Sequence, residues 1–358
     1  MNRYKRISAF RVLCTKEITK NSERNELINL ALIHLFTFYL YAIISPKEVN
    51  IMEIKNNILE LIGNTPLVKI NKLNKSKKGQ IVAKVESFNP AGSIKDRPAL
   101  NMIEAAEKQG LINKDTVIIE PTSGNMGVGL ALACAVKGYR VIFTMPETMS
   151  VERRKLMSAY GAELVLTEGT KGMKGAVDKA VELSKEIANS FVPMQFDNPA
   201  NPEIHEKTTA EEIWKDTDGK VDVVIAGVGT GGTISGIGRN LKKKNSNIKI
   251  IAVEPYKSQV LAGKQASGHG IQGIGANFVP KNFDKNVVDE IIPVKDEDAI
   301  DTARLLAKKE GILCGISSGA SMFAALEEGK KEENKGKLIV AILPDTGERY
   351  LSSILFAE

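Results

Sequence analysis

A chain of 358 residues, 43% hydrophobic and 26% charged, is long enough for two packed lobes and has the composition of an ordinary soluble globular protein, which excludes a fibrous or disordered chain. The formal net charge is +6, but residues 1 to 51 hold eight Lys or Arg against four Glu, so the remainder is close to neutral and gives no charge argument for nucleic acid or a membrane surface. Three well-separated cysteines and three histidines without ligand spacing encode no disulfide framework, metal site or histidine-based triad, and the expected location is a reducing cytoplasm.

In chain order, the first feature is a mostly apolar run from Leu27 to Ile44 with basic residues before it. It barely reaches the length of a membrane span and is interrupted by Asn29, His34 and Thr37. Two readings stand: a weak anchor, or a segment upstream of a start at Met52. The second is favoured, and residues 1–51 are expected to lie outside the pattern of the enzyme.

From about Gln80 onward, short β-rich runs alternate with helical patterns that end in glycine. Strands are expected at 80–86, 116–121, 140–146, 162–167, 221–226, 248–254 and 337–343, and helices at 98–109, 127–137, 151–160 and 176–188. Such alternation predicts an α/β protein with parallel-rich sheets flanked by helices on both faces. The polar stretch Asn198 to Glu203 marks the expected boundary between an N-terminal lobe, 52–199, and a C-terminal lobe, 200–358.

Three strand-to-helix loops carry chemistry. In Ser93-Ile94-Lys95-Asp96-Arg97, Lys95 falls in the first turn of a helix, where the positive end of the macrodipole lowers an amine pKa and favours a neutral nucleophile. In Pro121-Thr122-Ser123-Gly124-Asn125-Met126-Gly127, hydroxyls, a glycine and free N–H groups at a helix start suit a carboxylate. In Gly227-Val228-Gly229-Thr230-Gly231-Gly232-Thr233, directly after a strand, glycines let the backbone wrap a phosphate and Thr230 and Thr233 add donors. Gly227, Gly229 and Gly232 also satisfy G-x-G-x-x-G, with Glu254 where a ribose-binding acid would stand. That dinucleotide (NAD) reading leaves Lys95 and residues 122–125 without a role.

Together with Leu61-Ile62-Gly63-Asn64-Thr65-Pro66-Leu67 and Gly315-Ile316-Ser317-Ser318-Gly319, these motifs resemble, in order, the cysteine synthase (O-acetylserine sulfhydrylase) family. The resemblance implies a two-lobed fold of the tryptophan-synthase-β type, fold type II, with pyridoxal 5'-phosphate between the lobes. It implies that Lys95 holds the cofactor as a Schiff base and acts as catalytic base, that Asn125 contacts the cofactor 3-hydroxyl, that Gly229, Thr230, Gly231, Gly232 and Thr233 bind its phosphate, and that Ser317 faces its pyridine nitrogen. Thr122, Ser123 and Gln195 are implied to bind the substrate carboxylate, Met126 to border them, and the loop 271–275 with Gly273 to line the entrance. The implied reaction makes L-cysteine from O-acetyl-L-serine and sulfide through an aminoacrylate, in a homodimer that can dock the C-terminal tail of serine acetyltransferase.

Two departures bear on this reading. Met126 stands where the common pattern has threonine, as in the cyanoalanine synthase branch, so a cysteine-consuming β-replacement or lyase stays open. Asn277 replaces a usual glycine, which puts the closure of its loop in question.

Overall fold

The structure, a computed structural model, describes residues 54–356. The described residues from Asn56 onward form one compact unit. The possible anchor at 27–44 lies outside the described residues, among which no helix is long and apolar enough to cross a membrane.

Ten strands form two sheets among the described residues: β1 (Leu67–Lys69), β2 (Gln80–Val85), β3 (Val117–Pro121), β4 (Val141–Pro146), β5 (Glu163–Thr167), β6 (Ser190–Phe191), β7 (Val221–Gly227), β8 (Lys249–Pro255), β9 (Glu290–Val294) and β10 (Leu338–Leu343). The smaller sheet runs β5-β4-β3-β6 and is parallel throughout. The larger runs β1-β2-β10-β7-β8-β9, parallel except for β1, which pairs antiparallel with β2. The central strands of both sheets read as continuous apolar runs, such as Val141-Ile142-Phe143 in β4 and Ile339-Val340-Ala341-Ile342 in β10, because helices cover both faces and leave no solvent side.

All seven expected strands form, with ends shifted by one residue at most. The Asn125–Lys137 helix is apolar nearly all round and buried from Met126 to Cys134, and it ends at Gly138 with a left-handed φ of 79° that only glycine adopts freely. Strands β1 and β2 precede residue 199 but belong to the larger sheet, so the path of the chain crosses from one sheet to the other and back.

A buried ionic cluster ties the strand β2 to the helices. Lys84 Nζ, fully buried, donates to Thr65 O at 2.6 Å and pairs with Glu212 at 2.8 Å. Arg97, 1% exposed, donates through Nε to Glu86 at 2.8 Å and through Nη1 to Glu212 at 2.7 Å. Burial works against the charge of Glu212, yet Arg97 and Lys84 hold its carboxyl down at about 2. Removing Arg97 takes from the fully buried Glu86 carboxylate its ion-pair partner. Arg97→Met is therefore expected to cost about 3 to 5 kcal/mol, read as a lowered urea midpoint with an unchanged m-value.

Candidate active site

Four loops at the carboxyl ends of parallel strands enclose a cavity of about 230 Å³, which is where an open α/β sheet places its ligands. Lys95 enters after β2, Thr122, Asn125 and Met126 after β3, Gly229 to Thr233 after β7, and Pro344 after β10. Residues of three further segments complete the wall: Gln195 and Phe196, Gly273 and Ile274, and Ser317.

Lys95 caps the Asp96–Lys108 helix. Its pKa falls to about 8, but the larger cause is burial of the ammonium, with the Asp345 carboxylate opposing it; helix position is not the main source of the shift. Contacts of Lys95 and the two residues before it fix its backbone. Ile94 N–H donates to Pro344 O at 2.8 Å, Ser93 bridges Asp345, and Lys95 N–H donates to Ser93 Oγ at 3.2 Å.

The glycine loop is shaped for close backbone approach. A Cβ on Gly229 would lie 2.5 Å from Gly273 O, and one on Gly231, whose φ is 83°, would lie 2.7 Å from Phe283 N. Gly231 caps the Gly232–Lys244 helix, whose first N–H groups are of the kind that suits an anion. Thr230 Oγ accepts from Asn201 Nδ2 at 3.0 Å, which leaves the hydroxyl hydrogen of Thr230 to donate elsewhere. Beneath the loop His205, fully buried, lies 3.3 Å from Thr233 Oγ and 2.9 Å from Thr209 Oγ. Burial, reinforced by the charges of Arg97 and Lys95, drives its pKa well below the ordinary value, so the ring is neutral.

Asn125 is held at both ends of its amide. Nδ2 donates to Asp345 Oδ2 at 2.7 Å, while Oδ1 accepts from Arg349 Nη1. Asp345 also accepts from Tyr350 OH at 2.7 Å. One Nδ2 hydrogen is thus committed and the second is available to a ligand. Ser317 is 2% exposed and faces Gly273, where a Cβ would approach its Oγ to 3.2 Å.

Of the residues expected from the sequence, Ser123 and Gly232 stand outside the cavity wall, as do Ile271, Gln272 and Gly275 of the expected entrance loop. Ser123 turns away and donates to Met173 Sδ at 3.9 Å. Gly232 faces Asn201, whose Oδ1 would lie 2.1 Å from an added Cβ, so its role is to let the helix start pack closely. The others, Lys95, Thr122, Asn125, Met126, Gln195, Gly229, Thr230, Gly231, Thr233, Gly273 and Ser317, are brought together. Glu254, the candidate ribose acid, does not reach the cavity: its Oε2 accepts from Leu261 N–H at 2.9 Å. Asn277 adopts a φ of 64° and accepts from Ser258 Oγ at 2.7 Å, so it takes the conformation that the glycine it replaces would supply.

The sequence reading missed Asp345, Arg349 and Tyr350, which come from the last strand's loop, as well as Glu120, Asn201 and His205. Their only sequence signal is a polar residue inside or beside an apolar element. The donor set fits a small aldehyde bearing a phosphate: an amine with a lowered pKa, a glycine cradle at a helix start, and a neutral hydroxyl share one cavity.

Residues 58–345 match the family model described as pyridoxal-phosphate dependent enzyme. A cysteine synthase from Staphylococcus aureus is 52% identical over 303 residues, covering 84% of this chain and 97% of its own. The crystal structure of a cysteine synthase from Entamoeba histolytica superposes with a TM-score of 0.84 at 50% identity, covering 86% of this chain and 93% of its own. A hydrogen sulfide-producing enzyme from Fusobacterium nucleatum superposes with a TM-score of 0.81 at 50% identity, covering 84% of this chain and 99% of its own.

Proposed function

The chain belongs to the pyridoxal-phosphate dependent enzyme family, and from that membership we propose that its cavity is the site of a cysteine synthase, which makes L-cysteine and acetate from O-acetyl-L-serine and sulfide. The observation that carries this reading is the convergence of Lys95, Asn125, the 229–233 loop and Ser317 on one cavity.

Pyridoxal 5'-phosphate, when bound, supplies an aldehyde for the substrate amine and an electron sink for its α-carbon. Lys95 is the attachment point and then the base: a pKa of about 8 leaves Nζ neutral often enough near pH 7 to take the α-proton. Gly229, Thr230, Gly231 and Thr233 hold the phosphate through backbone N–H groups and hydroxyls at the helix start, with Gly232 giving that start its close packing. The free Nδ2 hydrogen of Asn125 would donate to the cofactor and help to hold it. Ser317 is neutral and would hold the cofactor ring without favouring its protonation, which would keep the sink moderate and suit prompt loss of a β-substituent. Thr122 and Gln195 bind the substrate carboxylate, and Gly273 and Ile274 border the entrance. Ser123 contributes through its backbone, its side chain being turned away.

The organisation around this site is part of the same proposal. The 52–199 and 200–358 lobes meet at it, with β1 and β2 lent to the larger sheet. The enzyme works as a cytoplasmic homodimer, its Cys134 and Cys314 free and buried, and accepts the tail of serine acetyltransferase at the same entrance. A cysteine-consuming reaction is the second reading, favoured by one observation: Met126, 2% exposed, lines the substrate side of the cavity. Assaying the holoenzyme with O-acetylserine plus sulfide, and separately with cysteine alone, tests both. Cysteine formation is expected to exceed sulfide release from cysteine by at least about tenfold in kcat/KM. The reverse order would transfer the assignment to the second reading.

A further inference from the structure

We propose that Glu120 is a positioning residue for substrate binding: its buried carboxylate clamps the turn at Met194 and Gln195 and thereby fixes the Gln195 amide at the cavity wall. This inference rests on the reading of Gln195 as a ligand of the substrate carboxylate.

Glu120 lies near the end of β3, two residues before Thr122, and is 1% exposed. Its Oε2 accepts from Met194 N–H at 3.2 Å, and its Oε1 accepts from Gln195 N–H at 3.4 Å and from Gln195 Nε2 at 3.2 Å. All three bonds go to one turn. Met194 holds a φ of 58°, in the left-handed region that L-residues avoid, and its side chain is 53% exposed, so packing does not account for that conformation. Strain of this kind persists only where the surroundings over-determine it. A carboxylate that accepts from two successive backbone N–H groups does so here.

The third bond sets the direction of the side chain. One Nε2 hydrogen of Gln195 goes to Glu120, which leaves the other to donate to a ligand oxygen. The opposite side of the turn is anchored to the phosphate-binding half of the site: Gln195 O accepts from Asn201 Nδ2 at 2.7 Å and from Asn282 Nδ2 at 2.9 Å, and Asn201 also holds Thr230. Burial raises the Glu120 pKa to about 7, and the three hydrogen bonds to this turn oppose that rise.

The test compares Glu120→Gln, Glu120→Gln with Met194→Gly, and Gln195→Ala in the holoenzyme, measuring KM for O-acetylserine, kcat, and the calorimetric affinity for L-alanine, which carries the same carboxylate and no leaving group. Glu120→Gln is expected to raise KM about tenfold and to weaken L-alanine binding in parallel, with kcat changed less than about twofold. Adding Met194→Gly, which removes the strain that the clamp offsets, is expected to bring KM back to within about threefold of the parent. A KM rise that Met194→Gly leaves untouched would overturn the proposal, as would an unchanged KM in Glu120→Gln alongside a raised KM in Gln195→Ala. An unchanged KM in both Glu120→Gln and Gln195→Ala would instead overturn the carboxylate reading of Gln195. If Glu120→Gln alone does not fold, a folded double variant supports the clamp and an unfolded one rejects it.

Discussion

Replacing Lys95 with alanine is expected to lower turnover of O-acetylserine by on the order of 10⁴-fold and to abolish the visible-edge absorbance band of cofactor joined to the protein. Two losses coincide in this variant. The cofactor has no point of covalent attachment, and among the described residues no other amine lines the cavity to accept the α-proton. Retention of more than about one per cent of activity would show that a different base operates. The parent protein carries a second expectation. Only neutral Nζ attacks an aldehyde, so the rate at which the cofactor-free protein captures pyridoxal phosphate should rise with pH through a midpoint near 8, set chiefly by burial. The Asp345 charge favours the ammonium form and opposes that lowering. Removing it in Asp345→Asn should therefore move the midpoint downward. An upward shift would contradict the electrostatic account of Lys95.

Gly232→Ala is the second substitution with a large expected effect, although Gly232 does not line the cavity. An alanine Cβ would sit 2.1 Å from Asn201 Oδ1, a distance no packed pair tolerates. Asn201 is fully buried and cannot swing into solvent, and it donates to both Gln195 O and Thr230 Oγ. Displacing it disturbs the phosphate loop and the carboxylate side together. The expected result is about a hundredfold loss of cofactor affinity by equilibrium titration, with a stability loss of about 2 to 3 kcal/mol. An alanine variant that binds cofactor as the parent does would show that the loop has room to shift.

Most of the strands that could be read from the sequence are buried on both faces, with β5 the exception. Strands such as β4 and β10 are apolar throughout, because both faces are covered, and their flanking glycines mark the ends. Strands β1, β6 and β9 carried no such signal. The first has three residues and the second two, and Pro293 interrupts the third, so tertiary pairing rather than local pattern makes them strands. The antiparallel pairing of β1 was equally hidden, since alternation of strands and helices speaks only for crossover connections.

The site divides in the same way. Lys95 and the 229–233 loop announce themselves because a lysine or a run of glycines at a strand-to-helix junction has few ordinary purposes there. Their supports do not: Asn125 meets Asp345 across 220 positions, and Glu120 meets Gln195 across 75. Nothing local in Pro344-Asp345-Thr346-Gly347 distinguishes a catalytic support from a turn. The expected direction of the Lys95 shift agrees with the structure while its expected cause does not. A dipole argument needs only sequence position, whereas burial depends on what the fold piles around the amine.

The place of β10 between β2 and β7 has a consequence for how the protein comes into being. The smaller sheet draws all its strands from residues 117 to 191 and can close while later residues are still being translated. The larger sheet cannot, because the strand that joins β2 to β7 begins only at Leu338. At roughly 5 to 20 residues per second, β2 waits more than about ten seconds on the ribosome with its open edge unpaired. A chain cut before Leu338 would have a gap in the middle of the sheet rather than a shortened edge.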